Sequence, residues 1–508
     1  MSDDDTTRSA GRGGLAVTGA KIYFILLGLV QQIALPRVLG LDGYGALSRV
    51  LSISSITYNP ITTMSIQAVS RTVVQAAPEE LAATVRRVLT WHAVFGVVLA
   101  AGFAALAPLV ARLAGAGHVE TPLQILALIL FIYSLYTPLI GIANGQKRFV
   151  AQAGFDVTSA TLRTLGLVLG AVIARRLSFA GPAGSAVGFV LSATLVLFIA
   201  ASVIGWGRPG KTSLTIGQYV GLALPLLLGQ ALLNLLFQAD LTLLGRFASQ
   251  AALAAGAPLS RADALVGAYR ATQLFSFLPY QILIAITFIL FPMLAAAAKQ
   301  RDADAIARYV RTGMRLSLII VGAMVSVTLG LAPRLLELLF GADAAALGGR
   351  ALSLLSLGFG AFAIFGILTT VLNSLGRERQ SMWVTGLAVV IVAALCFTRA
   401  HGAPLSEDLL WLTAQATSTG LTVATLIAAW LVYRAAGALV SPWSLLRTVL
   451  SLGAAALAAR LLFPPGKLLT LVAAAVTPCF YLGLLVLTRE LTRADLDTIS
   501  KVARRRAN

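Results

Sequence analysis

Charge, cysteine and long polar connections are all scarce in this sequence. Only 12% of its 508 residues are charged, against about 25% in an ordinary soluble domain. A chain that is 58% hydrophobic has too little polar surface to cover its own core in water, so a soluble fold is excluded. Two cysteines, Cys396 and Cys479, lie far apart inside apolar runs. That excludes a disulfide framework and a thiolate metal centre. No H-E-x-x-H, C-x-x-C, G-x-S-x-G or paired-carboxylate pattern occurs. The sequence therefore gives no ground for an enzyme, a resident cofactor or a metal.

What is abundant is long, nearly charge-free segments, and about 20 such residues suffice to cross a bilayer as a helix. The fold class is an all-α polytopic membrane protein of about fourteen helices. Expected spans are 15–39, 45–69, 88–114, 122–143, 153–175, 182–206 and 217–244, then 264–294, 312–340, 349–373, 381–399, 408–433, 443–462 and 468–488. The polar segment 1–14 precedes an apolar run with no small-residue cleavage site, which reads as a retained first helix, not a signal peptide. With the N-terminus inside, 24 of the 39 Lys and Arg fall in cytoplasmic segments and 11 in the opposite loops. That asymmetry places both termini in the cytoplasm. The net charge of +19 follows from short basic loops facing anionic headgroups, so no nucleic-acid partner is implied.

The chain also echoes itself. Ala107-Pro108-Leu109 through Ala116 closes helix 3 as Ala332-Pro333-Arg334 through Ala342 closes helix 9. Asn144-Gly145-Gln146 follows helix 4 as Asn373-Ser374-Leu375-Gly376-Arg377 follows helix 10, and Gly45-Ala46-Leu47 opens helix 2 as Gly267-Ala268-Tyr269 opens helix 8. The unit is six helices, an even number, so the two copies are parallel pseudo-repeats with two further helices behind them. The domain reading is a tail at 1–14, a six-helix bundle at 15–206, a linker at 207–216 and a second bundle at 217–433. Helices 13 and 14 occupy 443–488, and a basic tail follows at 489–508. Transporters built this way carry their substrate path between the halves near the midplane.

Polar groups inside spans mark function by default, because burial in lipid is costly. Helix 1 carries Lys21 and Gln32. Helix 2 carries Arg49, Ser52, Asn59, Thr63 and Gln67. Helix 5 carries Arg163, with Asp156 nearer its cytoplasmic end. Helix 7 carries Gln230, Asn234 and Gln238 in steps of four, with Asp240 beside them, and helix 8 carries Arg270 and Gln273. The candidate substrate-cavity residues are Lys21, Gln32, Arg49, Asn59, Arg163, Asn234, Gln238, Asp240, Arg270 and Gln273. Four cations against one central acid suit an anionic cargo, since a desolvated guanidinium grips phosphate oxygens bidentately. The competing readings stay open. Arg49, Arg270 and Lys21 lie near helix ends, from which they can snorkel. Arg163 can pair with a structural carboxylate. The amides can simply fasten helix to helix, and His92 reads as a packing residue before a proton relay.

Gly205-Trp206-Gly207-Arg208-Pro209-Gly210-Lys211-Thr212 fits the phosphate-loop pattern G-x-x-x-x-G-K-S/T. That chemistry needs a strand before and a helix after, in an α/β domain. The segment lies between two membrane spans, so no nucleotide is expected.

The junction Leu35-Pro36-Arg37-Val38-Leu39-Gly40 with Gly43-Tyr44-Gly45, the triplet Gln238-Ala239-Asp240, and the motifs after helices 4 and 10 resemble the multidrug/oligosaccharidyl-lipid/polysaccharide (MOP) exporter superfamily, in its polysaccharide biosynthesis and oligosaccharide flippase branch. The resemblance implies a pair of six-helix bundles that alternate access. Its cargo would be a polyprenyl-pyrophosphate-linked oligosaccharide carried from the cytoplasmic to the periplasmic leaflet of a bacterial inner membrane. Arg49 and Arg270 sit where lipid II flippases carry cavity arginines, whereas the first helix offers only Lys21. The implied partners are the lipid-linked saccharide, membrane lipids and polysaccharide polymerase or export machinery. Proton, sodium or membrane potential can drive such proteins, and no motif here selects one. The alternatives are a lipid II flippase, a MATE-type small-molecule or cation antiporter, or a non-transporting scaffold.

Overall fold

The computed structural model describes residues 3–491, so most of the basic tail expected at 489–508 lies outside the described residues. Fourteen α-helices and one 3-10 turn make up the fold, with no strand among the described residues. The helices are α1 Asp3–Gln75, α2 Leu81–Leu113, α3 Glu120–Gly145, α4 Phe149–Arg176, α5 Gly181–Ile204, α6 Ile216–Ala254 and α7 Leu259–Ser276. They continue as α8 Leu278–Lys299, α9 Ala303–Phe340, α10 Ala342–Ser374, α11 Glu378–Ala400, α12 Glu407–Ala436, α13 Pro442–Leu462 and α14 Lys467–Leu487. Twelve of these are long and apolar enough to cross a membrane.

Two elements differ from the sequence expectation. Helices 1 and 2 form one hydrogen-bonded run, α1, interrupted at Gly40, whose φ of 78° and ψ of 171° suit a residue without Cβ. The Tyr44 hydroxyl donates to Gln32 Oε1 at 2.6 Å. Along an unbroken helix, residues twelve apart would lie roughly 18 Å apart, so the chain folds back at Gly40 and α1 crosses twice. Helix 8, in contrast, is two pieces, α7 and α8, parted at Phe277. Pro279 has no backbone N–H to continue the ladder. The ring of Phe277 packs on Phe359 at 4.6 Å and that of Tyr280 on Phe362 at 4.9 Å, which holds the break in place. Several helices also outrun their expected spans: α2 starts at Leu81, α9 at Ala303, and α6 runs to Ala254. Hydropathy ends where the hydrocarbon ends, whereas backbone hydrogen bonding continues through the polar interface.

Packing divides the chain into two units, one ending at Gly267 and one beginning at Ala268. In the first, α3 is the central helix, with 83% of its most apolar stretch buried; α1, α2 and α5 pack on it, and α4 and α6 pack on α1. In the second, α10 takes that place with 72% buried, contacted by α8, α9 and α12, while α13 and α14 pack on α9. The helices that the sequence repeat pairs, the fourth and the tenth, are thus the most buried of their respective units. By packing, α6 and the first half of α7 fall in the first unit, although the repeat assigns them to the second bundle.

Residues 205–215 are neither helix nor strand. Thr212 of the phosphate-loop pattern shares a hydrogen bond with Thr84 at 2.7 Å, and its carbonyl accepts from Arg87 at 3.1 Å. The segment follows a helix, and its residues are spent on binding α2. Glu80 accepts from both the backbone N–H and the hydroxyl of Ser213, at 2.8 Å each. That backbone N–H, more than any other neighbour, holds the Glu80 carboxyl below the ordinary carboxylate range. A depressed carboxyl stabilises the fold above its unfolded pKa and loses that contribution as pH falls through the folded value. Glu80→Gln should therefore speed hydrogen exchange of the Ser213 amide at neutral pH, whereas acidifying the wild type only to the usual carboxylate range should not. Equal exchange in both proteins at neutral pH would contradict the fastening role.

Candidate functional site

At one end of the first unit the junction of α1 meets the end of α6 and the start of α7. A Cβ on Gly45 would lie 1.7 Å from the Asp263 carbonyl oxygen, and one on Gly267 would lie 2.2 Å from that of Leu41. Gly45 and Gly267 are the residues that the internal repeat aligns, and here they face each other.

Against this seam lies Arg49, 3% exposed. Its Nε is 2.8 Å from Asp263 Oδ1, and its Nη1 donates to the Gly245 carbonyl at 2.7 Å and to Ser249 Oγ at 2.8 Å. The second oxygen of Asp263 lies 2.8 Å from His118 Nε2. Ser52 extends the seam by donating to Gln238 Oε1 at 2.8 Å. The polar stripes of helices 2 and 7 therefore meet each other here. Gly45→Val should prevent this seam from closing. A cysteine placed at the fully buried Ala248, in a chain lacking Cys396 and Cys479, should then react with a membrane-impermeant maleimide. Protection equal to that of Gly45 would count against the seam.

The other candidates are more dispersed. Lys21 pairs with Asp156 at 2.9 Å, and Gln32 is held by Tyr44. Asn234 donates to the Gln230 carbonyl at 2.9 Å within its own helix. Asp240 is fully buried and accepts the Leu241 backbone N–H at 2.7 Å. Asn59 is half-buried. Arg163 meets rings instead of a carboxylate: its guanidinium lies 4.8 Å from the centre of Phe189 and hydrogen-bonds Tyr58, with Tyr133 beside it. Arg270 is half-buried and donates to Gln273 Oε1 at 3.0 Å, two turns before the break at Phe277.

The four intramembrane cations thus separate into two kinds. Lys21 and Arg49 have acidic partners; Arg163 and Arg270 have none among the described residues. The sequence reading missed Asp263 because it started helix 8 at residue 264, whereas α7 begins at Leu259. A signal was present: Asp263 lies seven residues before Arg270, on the same helix face. Nothing in the sequence pointed to His118 or to the rings around Arg163.

The sequence profile of the polysaccharide biosynthesis protein family matches residues 10–298, more than half of the chain. The chain belongs to that family. No curated protein matches its sequence. Among solved structures, this polysaccharide biosynthesis protein is similar to the lipid II flippase MurJ in an inward closed conformation, at 13% identity and a TM-score of 0.77, with 94% of this chain and 100% of that one covered. It is also similar to an inward-facing multidrug resistance MATE family transporter of the MOP superfamily, at 14% identity and a TM-score of 0.61, covering 83% of this chain and 94% of that one. The Vibrio cholerae MATE transporter VcmN in the bent form aligns at 16% identity and a TM-score of 0.55, over 85% of this chain and 98% of its own. The MOP fold that the junction and helix 7 motifs suggested is thereby borne out, and with it a multi-pass membrane protein.

Proposed function

We propose that this family member is an alternating-access flippase that carries a polyprenyl-pyrophosphate-linked oligosaccharide from the cytoplasmic to the periplasmic leaflet of the inner membrane. What supports the reading is two intramembrane guanidiniums, Arg163 and Arg270, that have no acidic partner among the described residues. An uncompensated cation in a membrane interior is expensive, and a pyrophosphate would supply the missing charge through bidentate hydrogen bonds. Arg270 stands close to a broken helix, and transporter sites favour discontinuous helices because their free backbone ends face the substrate. The working halves are the two six-helix sets at 15–206 and 217–433. Arg49 and Asp263 then fasten one set to the other at the periplasmic end, and release of that pair accompanies outward opening. Ten residues were candidates for the cavity; of these, Arg163, Arg270 and Gln273 are the ones we assign to cargo, with Arg49 assigned to the latch.

Deleting the gene and identifying the lipid-linked saccharide that accumulates on the cytoplasmic leaflet tests the reading. Accumulation of an oligosaccharide precursor supports it, and an unchanged lipid-linked pool contradicts it. Accumulation of lipid II would favour the second reading, which the extent of structural similarity to MurJ supports.

A further inference from the structure

The second unit holds a basic cavity that the proposed cargo path does not use. It is an open cavity of about 820 Å³ between the first half of α9, the loop 437–440, the start of α13 and the turn after α14. Arg311, Arg315, Arg447 and Arg489 line it, with Glu490 as the one acid among its lining residues. Glu490 is 4% exposed, accepts from Arg315 Nε at 3.0 Å and from the Ser444 hydroxyl, and lies 3.7 Å from Arg447 Nη1. One carboxylate thus positions two guanidiniums and leaves the cavity with three positive charges in excess. Arg311 and Arg489 are exposed, and neither has a recorded side-chain partner among the described residues.

The cavity's depth is set by its surroundings. Tyr433, 56% exposed, lines it; Trp443, 68% exposed, lies between the lining residues Pro442 and Ser444, and Trp430, 54% exposed three residues before Tyr433, has the guanidinium of Arg434 5.1 Å over its ring. Exposed Trp and Tyr with Arg mark the headgroup layer of a membrane. Beyond them, Leu446, Val449 and Leu450 of α13 are exposed apolar residues suited to acyl chains. A cavity of this size accommodates a small headgroup, and basic pockets between membrane helices on the cytoplasmic side recognise anionic headgroups.

We infer that this cavity is a binding site for the phosphate of an anionic lipid, with Arg311 and Arg489 closing on the oxygens while Glu490 holds Arg315 and Arg447 in place. The same chemistry is offered by a bulk phospholipid and by the pyrophosphate of a polyprenyl carrier. Native mass spectrometry of the full chain, exposed to phosphatidylglycerol or phosphatidylcholine, tests the site. One phosphatidylglycerol per chain should bind at least about tenfold more tightly than phosphatidylcholine, because only the former brings net negative charge to the guanidiniums. Arg311→Gln with Arg489→Gln should abolish that preference without changing the melting temperature, and the double lysine variant should retain it. Inorganic pyrophosphate separates the sources: displacement of the lipid favours the pyrophosphate of a polyprenyl carrier, and failure to displace it assigns the site to bulk phospholipid. Equal binding of the two lipids, or undiminished preference in the glutamine variant, would overturn the inference.

Discussion

Arg49→Ala is expected to destabilise the protein by about 3–5 kcal/mol, because it leaves the Asp263 carboxylate buried without its cation. The effect should be far larger than that of losing a surface ion pair, which is worth about 0–1 kcal/mol. Asp263 is 4% exposed and Arg49 3%. Neither can turn to water without opening the seam of α1, α6 and α7. Removing both charges in Arg49→Ala/Asp263→Ala should recover most of the lost stability, since the cost lies mainly in the orphaned charge. Thermal unfolding of the purified chain in detergent measures this directly. A double variant no more stable than the single one would exclude the pairing. Transport separates stability from gating: if the pair is the latch, the stable double variant should still export glycan poorly, because its closed end no longer holds.

Arg270→Ala should give the opposite combination, an intact protein with little transport. The side chain is half-buried, and its recorded hydrogen bond goes to Gln273, a neighbour on the same helix. Its removal therefore breaks no tie between helices. A hydrogen bond to a charged group contributes about 1.5–3 kcal/mol. If that stabilisation belongs to the passage of a pyrophosphate, flipping should fall roughly ten- to a hundredfold while membrane levels stay unchanged. Arg270→Lys should restore only part of the rate, because an ammonium keeps the charge but loses the planar fork. The readout is the ratio of lipid-linked saccharide on the two leaflets. Normal export by Arg270→Ala would remove the main support for an anionic cargo.

These two arginines show where the sequence was and was not sufficient. Arg49 and Arg270 look alike in sequence, each a cation at the start of a span and nearly aligned by the repeat. In the fold their surroundings differ: Asp263 stands opposite Arg49, and no acid among the described residues stands opposite Arg270. Lys21 changes meaning in the same way once Asp156 is seen 2.9 Å away. The sequence left Arg163 free to pair with a structural carboxylate, and its neighbours among the described residues are aromatic rings.

The membrane class, the number of crossings and the repeat were determined by the sequence itself. They depend on local quantities: the length of apolar runs, the side on which basic residues fall, and the spacing of recurring motifs. The contact of Gly45 with Gly267 was not among the expectations, because a repeat aligns positions without saying which of them meet. The partner of each buried charge was decided by tertiary structure alone. Arg49 and Asp263 are more than two hundred residues apart, and no periodicity of either helix specifies which cation an acid will meet. The same holds for the basic cavity, whose arginines come from α9, α13 and the turn after α14 and are brought together around Glu490.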